Sequence, residues 1–446
     1  MKRIGLVLIA MVLLLHGAAF AAQADPAAAP RAVIELLYAG EYQQVFDQST
    51  PDVQKGLGSG DSLAAMWAQL AMTFGEYENI VSASAQEQAG MLVGTVVCSY
   101  SLANVTFSVV LSADGKLAGL TVAGVEQKAP ESKADATQFT TEPIVLRKGE
   151  ADETQGLLTL PLGEGPFPAV LMMQGSGPSD MQETAYGITP FRDLAEGLAL
   201  LGVASIRYDK YTYAHGDLLQ ADPARAAAFT VEQEYIPDAQ AALALLQADS
   251  RIGSIYLLGH SLGGMSLPLV MREIGTDSIA GGVILEGSPL PLWEIQYHQN
   301  LALVPKMEEM YREAAGILID QEAAKAETLA QMTDEQLQAE TLFGLSAYYQ
   351  KNQMAVDPAE TANALGKPLF ITQGGKDWQV TPADGMDAWQ EKLNKALAVT
   401  YKTYENMNHM LCDMEGEPAG DQTDYTAGST VTQALIADIA AWILAQ

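Results

Sequence analysis

Residues 255–264 read Ile255-Tyr256-Leu257-Leu258-Gly259-His260-Ser261-Leu262-Gly263-Gly264, and the fold turns on them. Four apolar residues in a row suit a strand buried on both faces. The run ends in Gly-x-Ser-x-Gly, the pattern of a nucleophile elbow, where a serine sits on a sharp turn between a strand and a helix. Glycine is needed on both sides because the turn brings backbone together and leaves no room for a Cβ. Such a turn exposes the Ser261 hydroxyl and aims the N-terminus of the next helix at a developing negative charge. Pro268 falls inside that expected helix, where it should kink the chain or loosen its hydrogen bonding.

Outward from the elbow, the stretch from Phe139 to the end alternates strand and helix, which implies a largely parallel sheet with right-handed crossovers. An opening hairpin is expected over Pro143–Arg147 and Gly156–Leu162. Short apolar runs follow at Ala169–Met173, Val203–Tyr208, Ser254–Leu258, Gly282–Leu285, Pro368–Thr372 and Leu397–Tyr404, with helical segments such as Phe191–Leu200 and Ile236–Ala248 between them. A segment rich in Ala, Leu, Gln, Glu and Met, roughly residues 290–363, interrupts the pattern and reads as a helical cap over the carboxyl edge of the sheet. The fold class expected is α/β, an α/β-hydrolase fold with a helical cap insertion, preceded by a small α+β domain.

A serine hydroxyl is a poor nucleophile at neutral pH, so it needs a general base, and the base needs an acid to fix its tautomer. In this fold the chain order is Ser, then Asp or Glu, then His. His298 and His409 are the histidines after Ser261. His298 comes too early, inside the cap, whereas His409 follows the last strand in Glu405-Asn406-Met407-Asn408-His409. For the acid, Phe370-Ile371-Thr372-Gln373-Gly374-Gly375-Lys376-Asp377 runs from a strand into a glycine turn. Glu286 and Asp413 are its rivals, and Asp377 is preferred because Glu286 would leave that turn unexplained. The oxyanion donors expected are the backbone N–H of Leu262 and, from the loop Gln174-Gly175-Ser176-Gly177-Pro178, that of Ser176.

The chain has 446 residues, with 24 Lys plus Arg against 55 Asp plus Glu, a formal charge of −31. Clustered cations for phosphate are missing, which argues against nucleic acid as a partner and against anionic membrane surfaces. Met1-Lys2-Arg3 followed by an apolar run to Leu15, and then by small residues around Ala19–Ala24, reads as a cleaved signal peptide over residues 1–24, hence secretion or a periplasmic location. Residues 25–125 show helical spacing to Phe74 and then strand alternation, a small α+β domain. Residues 126–138 read as a linker and 139–446 as the catalytic domain. The two cysteines, Cys98 and Cys412, are far apart, so no disulfide framework is expected, and neither has metal-ligand spacing.

Taken together, Gly175-Ser176-Gly177-Pro178, Pro190-Phe191-Arg192-Asp193-Leu194-Ala195, Arg207-Tyr208-Asp209-Lys210, Gly259-His260-Ser261-Leu262-Gly263-Gly264 and Gly374-Gly375-Lys376-Asp377 resemble a bacterial esterase group within the α/β-hydrolases. The resemblance implies a carboxylesterase of short acyl esters that uses a triad of Ser261, Asp377 and His409 and needs no cofactor or metal. Relatives often carry Arg after Arg-Tyr-Asp-Lys, whereas this chain has Tyr211. The N-terminal domain resembles the one of unknown role that precedes such hydrolases. The same machinery serves peptidases and thioesterases. A reading of another class is an extracellular binding protein with a vestigial hydrolase domain, which the retention of Ser261, Asp377 and His409 speaks against.

Overall fold

A computed structural model describes residues 25–307 and 309–446, so the expected signal peptide lies outside the described residues. The chain forms two compact units, the first ending at Lys128 and the second running from Ala129 to Gln446.

In the first unit, helices α1 (Ala28–Tyr38), α2 (Tyr42–Asp47), α3 (Pro51–Leu57) and α4 (Gly60–Phe74) precede a four-stranded antiparallel meander of β1 (Tyr77–Gln88), β2 (Met91–Tyr100), β3 (Ala103–Leu111) and β4 (Leu117–Gln127). Strand β3 alternates buried and half-buried residues along its length, the signature of a sheet with one face in a core. Ile34, Leu37 and Trp67 from the helices pack onto Val96, Val105 and Phe107. Strand β4 continues through Gln127, and Lys128 Nζ reaches Glu78 and Ser99, so the chain leaves this unit slightly beyond the point read from composition. Cys98 is a buried strand thiol and Cys412 is buried in the second unit; both are free.

The second unit is built on an eight-stranded sheet: β5 (Phe139–Leu146), β6 (Thr154–Pro161), β7 (Phe167–Met173), β8 (Ala204–Tyr208), β9 (Ile252–His260), β10 (Gly281–Leu285), β13 (Leu369–Gly374) and β14 (Val399–Tyr404). Between β10 and β13 lies the cap's small ribbon, β11 (Thr341–Leu342) and β12 (Leu345–Ser346). Strand order in the large sheet is β14-β13-β10-β9-β7-β8-β6-β5, parallel from β14 to β8 and antiparallel at β6 and β5. The chain moves from β7 to one side and returns to β9 on the other, so β7 and β9 flank a topological switch point, where ligands of open α/β sheets bind.

Period-two alternation explains the continuous apolar runs. Ala169, Leu171, Ile255 and Leu257 face one core, whereas Val170, Met172, Tyr256 and Leu258 face the other. The first core is covered by α9 (Val231–Ala248), α10 (Leu262–Ile274) and α15 (Pro358–Leu365); the second by α5 (Pro190–Leu200) and α17 (Gln433–Leu444). Short helices α6 (Tyr211–Ala214), α7 (Gly216–Ala221) and α8 (Pro223–Ala227) join β8 to α9, and α16 (Ala388–Lys392) precedes β14. Helix α10 contains Pro268 and continues past it to Ile274. Nearly all of its residues are buried against the sheet and α15, and this packing outweighs the backbone bond that proline forfeits.

The insertion comprises α11 (Leu292–Leu303), α12 (Glu309–Ala326), α13 (Asp334–Ala339), the β11–β12 ribbon and α14 (Ala347–Met354). It has its own small core of Ala326, Leu329, Leu337, Leu342 and Ala347. Two features differ from the sequence reading. The cap contains a ribbon as well as helices, and it ends before α15, whose Ala359 and Ala362 join the main core.

Candidate active site

Ser261 follows β9 directly and has φ +52° and ψ −118°, a conformation that side-chain-bearing residues rarely adopt and that marks a strained functional turn. A Cβ on Gly259 would collide with the Gly263 carbonyl, and one on Gly263 with the Met173 carbonyl at the end of β7. These collisions account for both glycines of the elbow. Leu262 is the first residue of α10, where N–H groups have no intrahelical acceptor.

His409 lies in the loop after β14, and its Nε2 is 3.1 Å from Ser261 Oγ. Its Nδ1 is 2.7 Å from Asp377 Oδ2. Asp377 follows β13, and its other oxygen accepts the backbone N–H groups of Gln379 and Val380 at 2.8 and 2.9 Å. Asn408 shapes the loop around His409: its Oδ1 accepts the N–H groups of Met410 and Cys412 at 3.0 and 3.2 Å. Both His409 and Asp377 are buried. The structure thus brings Ser261, His409 and Asp377 together from three strand ends.

The rivals stand elsewhere. His298 is on α11, half-buried, with Nδ1 3.0 Å from Asp384. Asp413 is exposed. Glu286 directly follows β10 at φ +50° and is fully buried. Its Oε2 accepts the Gly374 N–H at 2.6 Å and Gln373 Nε2 at 3.0 Å, while no donor reaches Oε1. Burial, then the Asp377 charge and a hydrogen bond toward Asp377, hold its pKa well above the ordinary carboxylate value. Burial beside the Asp377 charge therefore favours the neutral form of Glu286.

Gly175 lies in the loop after β7, and a Cβ there would lie 3.0 Å from Ser261 Cβ, which places Gly175, the residue before Ser176, against the elbow. The Gly175 N–H donates to Glu183 Oε1 at 2.6 Å. The same carboxylate oxygen is 2.9 Å from His260 Nδ1, and His260 Nε2 donates to the His409 carbonyl at 2.8 Å. Burial alone would lower the His260 pKa, but the Glu183 charge and hydrogen bond, the His409 carbonyl and the Asp377 charge outweigh it and raise the value. Both ring nitrogens then act as donors. Sequence reasoning gave no role to Glu183 or His260; His260 was visible only as the variable residue of the elbow. Tyr211 is buried and stacked on Phe229, with the guanidinium groups of Arg147 and Arg225 5.6 and 5.7 Å from its ring centroid.

This sheet order, with the Gly-x-Ser-x-Gly turn after β9 and the His409 loop after the last strand, is the α/β-hydrolase fold. Residues 188–417, more than half of the chain, match the family described as Serine aminopeptidase, S33, and the chain belongs to that family of serine hydrolases. Residues 31–120 match a second family, described as a protein of unknown function (DUF3887). The chain is similar to Esterase EstD of Thermotoga maritima, with 28% identity over 421 residues that cover 92% of this chain and 93% of that protein. Among solved structures it is similar to Est1E from Butyrivibrio proteoclasticus, with 14% identity over 68% of this chain and 99% of that one and a TM-score of 0.43. It is also similar to the esterase domain of a Rhodothermus marinus protein, with 13% identity over 68% of this chain and 97% of that one and a TM-score of 0.40. Among the described residues no group of His, Cys, Asp and Glu is arranged to hold a metal, and no helix is long and apolar enough to cross a membrane.

Proposed function

We propose that this protein is a carboxylesterase of small or short-chain acyl esters that works through a Ser261-His409-Asp377 triad and an acyl-enzyme. His409 takes the Ser261 proton as Oγ attacks the ester carbonyl carbon. The charge that develops on the carbonyl oxygen is received by the N–H groups of Leu262 and Ser176. His409 then gives its proton to the departing alcohol. Water, deprotonated by the same imidazole, cleaves the acyl-enzyme and frees the acid and Ser261. Asp377 keeps Nδ1 as the protonated nitrogen, so that Nε2 is left as the base.

The observation that carries this reading is the pair of contacts on the His409 ring, 3.1 Å to Ser261 Oγ and 2.7 Å to Asp377 Oδ2. The similarity to Esterase EstD over nearly the whole of both chains supports ester as the substrate class. The test is hydrolysis of p-nitrophenyl acetate and butyrate by wild type and Ser261→Ala: turnover vanishes in the variant, and equal rates would sink the proposal.

The family description favours a second reading, an aminopeptidase. Cleavage of an aminoacyl-p-nitroanilide faster than any simple ester would establish it. We further propose that the chain is exported, on the strength of Met1–Arg3 and the apolar run to Leu15. An intact Met1 on protein recovered from the native cell envelope or medium would refute cleavage of a signal peptide.

A further inference from the structure

The segment Arg207-Tyr208-Asp209-Lys210 closes β8, and each of its residues holds the loop that follows β7. Arg207 Nε donates to Gln182 Oε1 at 3.1 Å, and the Tyr208 carbonyl accepts Gln174 Nε2. Asp209 Oδ1 accepts the Met181 N–H at 2.8 Å, and the Lys210 N–H donates to the Ser179 carbonyl at 3.0 Å. The Lys210 side chain goes further. Fully buried, its Nζ donates to the Gly175 carbonyl at 2.6 Å and pairs with Glu234 Oε1 at 2.8 Å. The Tyr235 ring lies beneath the ammonium group, 4.8 Å from its centroid, and the Tyr235 hydroxyl donates to the Gln174 carbonyl at 2.8 Å. From the cap, the Tyr349 hydroxyl donates to Glu234 Oε2.

A buried ion pair is costly to assemble and is weak evidence for stability by itself, so its placement calls for a reason. The peptide between Gly175 and Ser176 is trans and planar, so its C=O and N–H point in opposite directions. An ammonium group that captures the Gly175 carbonyl therefore turns the Ser176 N–H away from Lys210. The Gly175 N–H is held independently by Glu183, so charged side chains grip this residue at both ends. Gly175 is also the loop residue packed against the nucleophile, and a small rotation of this peptide would misdirect the Ser176 amide.

We propose that Lys210 is a positioning residue of the oxyanion site: it fixes the Ser176 N–H as a donor by holding the Gly175 carbonyl, and through Glu234 and Tyr349 it ties that donor to the cap. This rests on the esterase reading above. Lys210 touches neither substrate nor reacting atoms, and its effect passes through one peptide plane. Because the oxyanion exists only after attack, the loss should fall on kcat rather than on KM.

The experiment compares wild type with Lys210→Met/Glu234→Gln, in which the ion pair is neutralised on both sides, and with Tyr349→Phe. Each is assayed on p-nitrophenyl butyrate and titrated with an aryl trifluoromethyl ketone, whose serine hemiketal carries the oxyanion. The double variant should lose about 10²–10³ in kcat, the cost of one oxyanion donor. Its KM should stay near the wild-type value and its inhibitor Ki should rise in parallel with the loss in kcat/KM. Tyr349→Phe should move the same quantities in the same direction by less, and it tests the proposal even if the double variant does not fold. Unchanged inhibitor affinity in folded variants, or a loss confined to KM, would overturn the role of Lys210 while leaving the esterase reading intact. A wild-type protein inert to both ester and ketone would overturn that reading, and this one with it.

Discussion

His260 Nε2 donates to the backbone carbonyl of His409 at 2.8 Å, so the residue beside the candidate nucleophile Ser261 holds the main chain of the candidate base. Its other nitrogen meets Glu183, which in turn holds Gly175. One imidazole thus spans the base loop and the loop after β7.

His260→Gln should lower kcat by about 10²-fold, the scale of loss when catalytic groups are misplaced by about an ångström. The pKa of His260 is raised on folding, so its stabilising contribution is fully present below the unfolded value of about 6.5 and is lost as pH rises through the folded value. Melting temperatures measured from pH 5 to pH 9 should show the gap between wild type and His260→Gln narrowing at alkaline pH. A constant gap would refute the charged form.

Asp377 and Glu286 are both acids at strand ends, yet their surroundings assign them different work. Asp377→Asn should cost about 10⁴ in kcat, because an amide that donates to Nδ1 selects the wrong tautomer of His409. Glu286→Gln keeps the size and shape of the side chain in its neutral form and should keep kcat within the wild-type order of magnitude. Steady-state kinetics on one ester for both variants decides between them. The reverse ranking would transfer the acid role to Glu286.

Glu286 also predicts a trend of stability with pH. A carboxyl whose pKa is raised by folding binds its proton more tightly in the folded state, so stability falls as pH climbs from the unfolded value of about 4.3 toward the folded one. Glu286→Gln removes that penalty. The variant should match wild type near pH 4 in urea melts and exceed it increasingly toward neutrality.

Helix α9 begins with a capping box in which the Thr230 hydroxyl accepts the Gln233 N–H and Gln233 returns a bond to the Thr230 backbone. Thr230→Ala should lower stability by about 1 kcal/mol, read as a shift in urea midpoint at unchanged slope.

The sheet was legible because its strands are short apolar runs between turn signals, and burial on both faces leaves that pattern little freedom. Ser261, Asp377 and His409 could be read because each follows a strand whose end the sequence marks. The network behind them could not. Glu183 and Lys210 are charged residues in loops that look solvent-bound in sequence; the fold of the loop after β7 brings Glu183 to Gly175, and the sheet order brings Lys210. The Arg207–Lys210 motif was visible as a resemblance, but its work consists of contacts to a loop some thirty residues earlier, which no local periodicity encodes. Pro268 shows the converse: α10 continues through a residue that local rules disfavour, because packing surrounds the helix.

The small core of the cap has a consequence for how such an enzyme diversifies. Ala326, Leu329, Leu337, Leu342 and Ala347 satisfy one another, so residues elsewhere on the cap can drift without unsettling the large sheet. Tyr349 and His298 are constrained differently, because the Tyr349 hydroxyl is spent on Glu234 and the His298 ring on Asp384, and a lineage that changes its cap freely still has to keep such tethers.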